Sequence, residues 1–141
     1  TAVSQLSYIA TPGELGLIKK AKSMEERRAA FDEFWSQRDP SVGTPENEKK
    51  REFYRRINVA NRHFSSMRRE GWRSDRGRIY IINGEPDQID DEPYSPNVAP
   101  YQIWHYYREG RYRRFVFIDK DEDGDYRLQY PFDGLNQRPD F

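Results

Sequence analysis

The sequence contains no cysteine. Disulfides, thiol catalysis and cysteine-ligated zinc are therefore excluded together, and nothing about the redox compartment is decided. Charge of one sign is lacking too. Lys+Arg and Asp+Glu cancel at 24 each, which argues against a general nucleic-acid binder and leaves only local basic patches. No apolar run approaches the ~18 residues of a membrane span, so direct membrane insertion is not expected. Histidine is scarce, with only His63 and His105, and no HExxH spacing links them. A histidine-built metal centre or His-driven catalysis has no support in that pattern. Neither a nucleophile elbow nor a phosphate-binding glycine loop is present. The chain opens on Thr1-Ala2-Val3 with no basic and apolar leader, so it reads as a segment of a longer protein.

Aliphatic residues are few, but aromatics make up 15% of the 141 residues. A core built on large rings is expected. The length suits one domain over residues 1–141, with a helical half at 11–70, a sheet half at 71–131 and a tail at 132–141.

Thr11-Pro12-Gly13-Glu14 reads as a capping box with proline at the first helical position. Ser23-Met24-Glu25-Glu26 reads as a second box, opening a helix that carries Phe31, Phe34 and Trp35 and stops before Asp39-Pro40. Thr44-Pro45-Glu46 repeats the start signal. Behind it Phe53, Ile57, Ala60, Phe64 and Met67 recur at helical spacing as one apolar stripe. Gly71 closes that helix. From there the period changes. Arg78–Asn83 reads as a strand, residues 84–100 as a long acidic loop with four prolines, and Tyr101–Tyr107, Tyr112–Asp119 and Tyr126–Tyr130 as a three-stranded meander. Phe115 and Phe117 alternate with Val116 and Ile118, so that strand has two apolar faces and belongs inside the sheet. The expected class is α+β, with about three N-terminal helices packed on a four-stranded, mostly antiparallel sheet.

Together Phe34-Trp35, Arg38-Asp39-Pro40, Gly43-Thr44-Pro45, Phe53-Tyr54-x-Arg56, Ala60-Asn61, Gly71-Trp72-Arg73-Ser74-Asp75-Arg76-Gly77-Arg78 and Gly84-x-Pro86-Asp87 resemble the bacterial GWxTD-domain family, with Ser74 in place of its usual threonine. The resemblance runs from about residue 8 to about residue 130. It implies a part of an exported protein, placed in the periplasm, the cell envelope or outside the cell, and it carries no reaction. A looser likeness of the second half, through Gly84-x-Pro86-Asp87, Trp104-x-Tyr106 and Phe117-x-Asp119, is to small outer-membrane-assembly lipoproteins of the BamE/SmpA type. That likeness concerns fold alone.

Several residues are candidates for chemistry. In the linker at 71–77, Trp72 offers a stacking surface, Arg76 an anion clamp and Asp75 a carboxylate; the plainer reading is a structural corner. Glu85 and Asp87 supply acids nearby. Arg38, Asp39, Arg56 and Asn61 are expected to form a buried polar network. Trp104 and Tyr106, where exposed, would form a stripe for a partner, since Trp, Tyr and Arg dominate binding hot spots; the plainer reading makes one aromatic face of the sheet core and leaves isolated tyrosines exposed on the other. Asp119, Asp121 and Asp123 stand at the alternate positions of a calcium loop, but Tyr130 occupies the place of the closing glutamate, so an ion-free acidic turn is the favoured reading and no cofactor is expected. The leading functional expectation is a non-enzymatic binding or assembly module that meets a protein partner or neighbouring domains of its parent chain. The alternative is a carbohydrate-binding or hydrolytic domain using Trp72, Arg76, Glu85 and Asp87.

Overall fold

Thr11 and Glu14 satisfy each other's end of the first legible helix. The Thr11 hydroxyl accepts from Glu14 N at 3.2 Å, and the Glu14 carboxylate accepts from Thr11 N at 2.9 Å. This is the expected capping box, and helix α2 follows over Pro12–Lys19. The computed structural model describes residues 2–41, 43, 47–93 and 95–131. Within them lie five α-helices and a four-stranded sheet, an α+β fold. The expected start at Thr44-Pro45-Glu46 and the tail at 132–141 fall outside the described residues. The chain divides into two units between Arg55 and Arg56.

The first unit holds α1 (Ala2–Leu6), α2, α3 (Met24–Ser36) and the opening turns of α4 (Glu48–His63). Ser23 caps α3 by accepting from Glu26 N at 3.1 Å. The reciprocal half of the expected box is missing, because the Glu26 carboxylate accepts from Lys22 N instead. Asn47 starts α4, its side-chain oxygen accepting from Lys50 N at 3.1 Å while its amide donates to the Trp35 carbonyl. Trp35 is the hub of this unit. Its ring lies 5.0 Å from Phe34, 5.4 Å from Phe53 and 5.9 Å from Tyr54.

Arg38 closes the unit by pairing with Glu14 through both terminal nitrogens, at 2.6 and 2.9 Å. Its guanidinium sits 3.9 Å over the Phe34 ring. The Arg38 hydrogen bond is the largest of the influences that hold the Glu14 carboxyl at about 2, against an ordinary 4.5. A carboxylate depressed on folding stabilises the native state above its unfolded pKa, and that contribution disappears as pH falls through the folded value. Acid should therefore weaken the first unit between pH 4.5 and 2. Melting wild type and Glu14→Gln across that window checks this. The wild-type advantage should shrink with acid, and added salt should reduce it because the pair is partly exposed.

The second unit begins at Arg56 and contains the last turns of α4, a single 3-10 turn (Gly71–Arg73), α5 (Asp75–Asn83) and strands β1 (Gln88–Glu92), β2 (Tyr101–Arg108), β3 (Arg111–Ile118) and β4 (Arg127–Tyr130). Arg78–Asn83 is thus helical, where the sequence pattern predicts a strand. The reason is local. Ser74 caps the segment by accepting from Gly77 N at 3.0 Å, and Gly84, at φ +80°, ends it with its amide bonded to Tyr80 O. In between, Ile79, Tyr80, Ile81 and Ile82 are all buried. A helix buried on every side shows no amphipathic period, so its apolar run reads like an inner strand.

The fourth strand is β1 instead, taken from the expected loop. The sheet order is β1-β2-β3-β4, each pair antiparallel, so the expected meander stands and β3 is interior. Glu109 and Gly110, both at positive φ, turn β2 into β3. Trp104 opposes Phe115, and with Tyr106, Phe117, Ile79 and Tyr80 they form the buried core, flanked by Val59, Phe64, Tyr126 and Leu128. Met67 does not join the apolar stripe. α4 ends at His63, and Met67 is fully exposed beyond it.

Candidate functional site

The segment Gly71–Gly77 runs from the 3-10 turn into α5, and its glycines are there because backbone passes too close for any side chain. A Cβ on Gly71 would stand 1.8 Å from the Ala60 carbonyl oxygen, and one on Gly77 would stand 1.8 Å from the Gly71 carbonyl oxygen. Trp72 turns inward and is 3% exposed. Its amide donates to Asn61 Oδ1 at 2.9 Å, its indole N–H donates to Glu70 at 2.8 Å, and Arg73 lies over its ring. Ser74 donates to the Gly71 carbonyl at 2.7 Å while it caps α5. Asp75 reaches across to β4, accepting from Leu128 N at 2.7 Å and pairing with Arg127 and Arg78. The motif's polar groups are thereby spent on joining α4, α5 and β4, which is the structural-corner reading.

Arg76 is buried, its guanidinium lying 4.1 Å from the centre of the Tyr126 ring and 5.0 Å from that of Phe64. It donates to Gln102 Oε1 and the Gly124 carbonyl, each at 3.4 Å. Burial draws its pKa down from the ordinary arginine value, opposed by Tyr126, Asp119, Asp91 and Asp125. Glu85 accepts from the Tyr80 hydroxyl at 3.2 Å. Asp87 accepts from Tyr107 N at 2.6 Å and pairs with Arg108, which also donates to the Glu85 carbonyl. The four candidates Trp72, Arg76, Glu85 and Asp87 thus have separate partners, and the two acids fasten the turn after α5 to β2.

Trp104 and Tyr106 are the largest correction. Both are 0% exposed, so the candidate partner stripe is core. Trp104 Nε1 donates to Gln102, and the Tyr106 hydroxyl donates to the Gly84 carbonyl at 2.8 Å. Burial raises the Tyr106 phenol pKa. The expected polar quartet also divides. Arg38 pairs with Glu14 and Asp39 accepts from Ser41 N in the first unit. Arg56 donates to the Ile81 carbonyl at 3.0 Å and packs against Gly84, while Asn61 holds the Trp72 amide.

The expected calcium ligands point to other tasks. Asp119, nearly buried, accepts from the amides of Asp123 and Gly124. Asp121 and Asp123 both pair with Arg68. Backbone donation from Asp125 is the main influence lowering the Asp123 carboxyl. Among the described residues no three His, Asp or Glu side chains are placed to hold a metal ion.

The side of the sheet away from the core carries a cluster the sequence did not announce. His105 bonds Asp90 at 2.8 Å through Nε2 and the Tyr112 hydroxyl at 2.6 Å through Nδ1. The Asp90 carboxyl is lowered chiefly by that histidine. Tyr112 stacks on both His105 and Tyr107, and Arg114 lies 5.1 Å from the centre of the Tyr130 ring. Tyr107, Tyr112 and Tyr130 are all exposed. Strand parity places Tyr107 and Tyr112 together, but the Asp90 contact depends on the β1–β2 register, which sequence alone does not supply.

Each unit also carries a hollow. One, in the first unit, encloses about 570 Å³ beside Phe31, Trp35 and Tyr54, with Arg27, Arg28 and Lys50 at its rim. The other, in the second unit, is a groove of about 350 Å³ between β1 and the helices, floored by Val59, Phe64 and Trp104, edged by Ile89, with His63 and Glu85 at its mouth. Comparison with curated proteins and with solved structures finds no match for this chain. The GWxTD domain family model, in contrast, matches residues 1–133, and the chain belongs to that family.

Proposed function

We propose that this domain is a non-enzymatic binding or assembly module within a larger exported bacterial protein, working in the cell envelope or outside the cell. The observation that carries the reading is the division of labour among its polar and aromatic side chains. The groups that would suit chemistry, Trp72, Asp75, Arg76, Glu85 and Asp87, hold the fold together. Among the described residues, the aromatic groups left to solvent, Tyr107, Tyr112 and Tyr130, stand with Arg114 on one face of the sheet. Tyrosine and arginine presented on a fixed surface are the residues that anchor protein interfaces. No described helix is long and apolar enough to cross a membrane.

A photo-crosslinking residue placed at Tyr112 in the parent protein, expressed in its native cell, tests the reading. Leu17, exposed in the first unit, is the control position. A discrete adduct from position 112 and none from position 17 is expected. Adducts of equal yield from both, or none from 112, would count against the module.

A further inference from the structure

The edge strand β1 differs from the other edge of its sheet. β4 is short, and its Leu128 amide is already taken by Asp75. Among the described residues, β1 shows no such cover, and Gln88–Glu92 make no backbone hydrogen bond beyond their ladder with β2. The strand is exposed for most of its length, and Ile89 is 46% exposed. An uncovered edge of this kind presents unpaired amides and carbonyls that template an added strand.

Two further observations say what that strand must be. First, the apolar groove adjoins β1 on the core side of the sheet, where Ile89 shares a face with Trp104. A strand added alongside β1 would project alternate side chains toward this groove. Second, residues 84–93 contain five acids and no lysine or arginine. Asp87 and Asp90 are engaged by Arg108 and His105. Asp91 lies on the groove side with Ile89 and accepts from Gln102, whereas Glu92 shares the opposite face with Asp90 and forms no ion pair among the described residues. Like charges opposed across a ladder repel, so β1 does not suit a second copy of itself, and the β4 edge of another copy has its Leu128 amide taken by Asp75.

We infer that the β1 edge receives an extended basic segment of a protein partner as a fifth strand, with apolar side chains entering the groove and lysines or arginines on the opposite face meeting Glu92 beside Asp90. This rests on the binding-module reading and names the chemistry of its partner. Main-chain pairing supplies affinity, and the groove and acids supply selectivity.

The probe is the capped peptide acetyl-Lys-Val-Lys-Phe-Lys-Val-Lys-amide, whose alternation puts apolar groups on one face and cations on the other. Titration calorimetry at low salt should detect binding, and amide exchange over residues 88–92 should slow in its presence. The counterpart with glutamate at every lysine should not bind. The exposed double substitution Gln88→Lys, Glu92→Lys, on the cation-facing side of β1, should weaken the basic peptide about tenfold or more while the circular dichroism spectrum stays unchanged. Failure of the basic peptide to bind natively folded protein, equal binding of the acidic counterpart, or binding without protection at 88–92 would each overturn the inference. An adduct from Tyr112 in any of those cases would leave the module standing and remove only the edge assignment. Peptide protection at 88–92 with no adduct from Tyr112 would leave the edge assignment standing and count against the tyrosine face as the contact surface.

Discussion

Gly71→Ala is expected to destabilise the second unit by about 3 kcal/mol or more, enough to unfold much of it. The added methyl would sit 1.8 Å from the Ala60 carbonyl oxygen and 2.8 Å from the Asn61 Cα. These are backbone atoms of α4, so no side chain can swing aside to admit it. Gly77→Ala meets the same obstacle at the Gly71 carbonyl, and here two effects oppose each other. Alanine in place of glycine favours a helix by about 1 kcal/mol. The clash outweighs that gain, because relieving it means moving the 3-10 turn off α5. Urea denaturation of wild type, Gly71→Ala and Gly16→Ala separates the cases. Gly16 also lies in a helix but has open space around its Cβ position, so its alanine variant should be neutral or more stable. Near-wild-type stability for Gly71→Ala would mean that this close approach is not a feature of the folded chain.

Trp104→Ala is expected to cost about 3–5 kcal/mol, the range for deleting a large ring from a packed core. The ring lies 4.9 Å from Phe117 and 5.4 Å from Phe64, so its removal also breaks two aromatic contacts. Tyr107→Ala, three positions along the same strand but outward-facing and exposed, should stay within about 0.5 kcal/mol. Amide exchange over residues 101–118 localises the loss to the sheet. Equal costs for the two substitutions would reverse the assignment of the faces of β2.

That assignment shows where reading the sequence stops. Alternation along Tyr101–Arg108 defines two sets, one with Trp104 and Tyr106 and one with Tyr101, Ile103 and Tyr107. Both contain aromatics, so parity groups the residues without saying which set faces the helices. The capping box at Thr11 and Glu14 is legible because its signal is local, a hydroxyl and a carboxylate three residues apart. The β2–β3–β4 meander is legible because short turns join alternating runs. α5 is not, since Ile79, Tyr80, Ile81 and Ile82 form an unbroken buried run and isoleucine side chains favour strands. β1 is hidden by its acids, which suit an edge strand as well as a loop. Most of the candidate site residues stand out in the sequence by type and position, but their roles follow from long-range partners such as Asp75 with Leu128, 53 residues apart.

The central claim is that the Gly71–Asp75 motif is a joint between α5 and β4 whose polar groups are consumed by the fold. Amide exchange at Leu128 in an Asp75→Ala variant tests it most directly. The account predicts that the Leu128 amide, now without its carboxylate acceptor, loses protection ahead of β2 and β3, with a stability loss of about 1–3 kcal/mol. Unchanged exchange at Leu128 together with unchanged stability would contradict it.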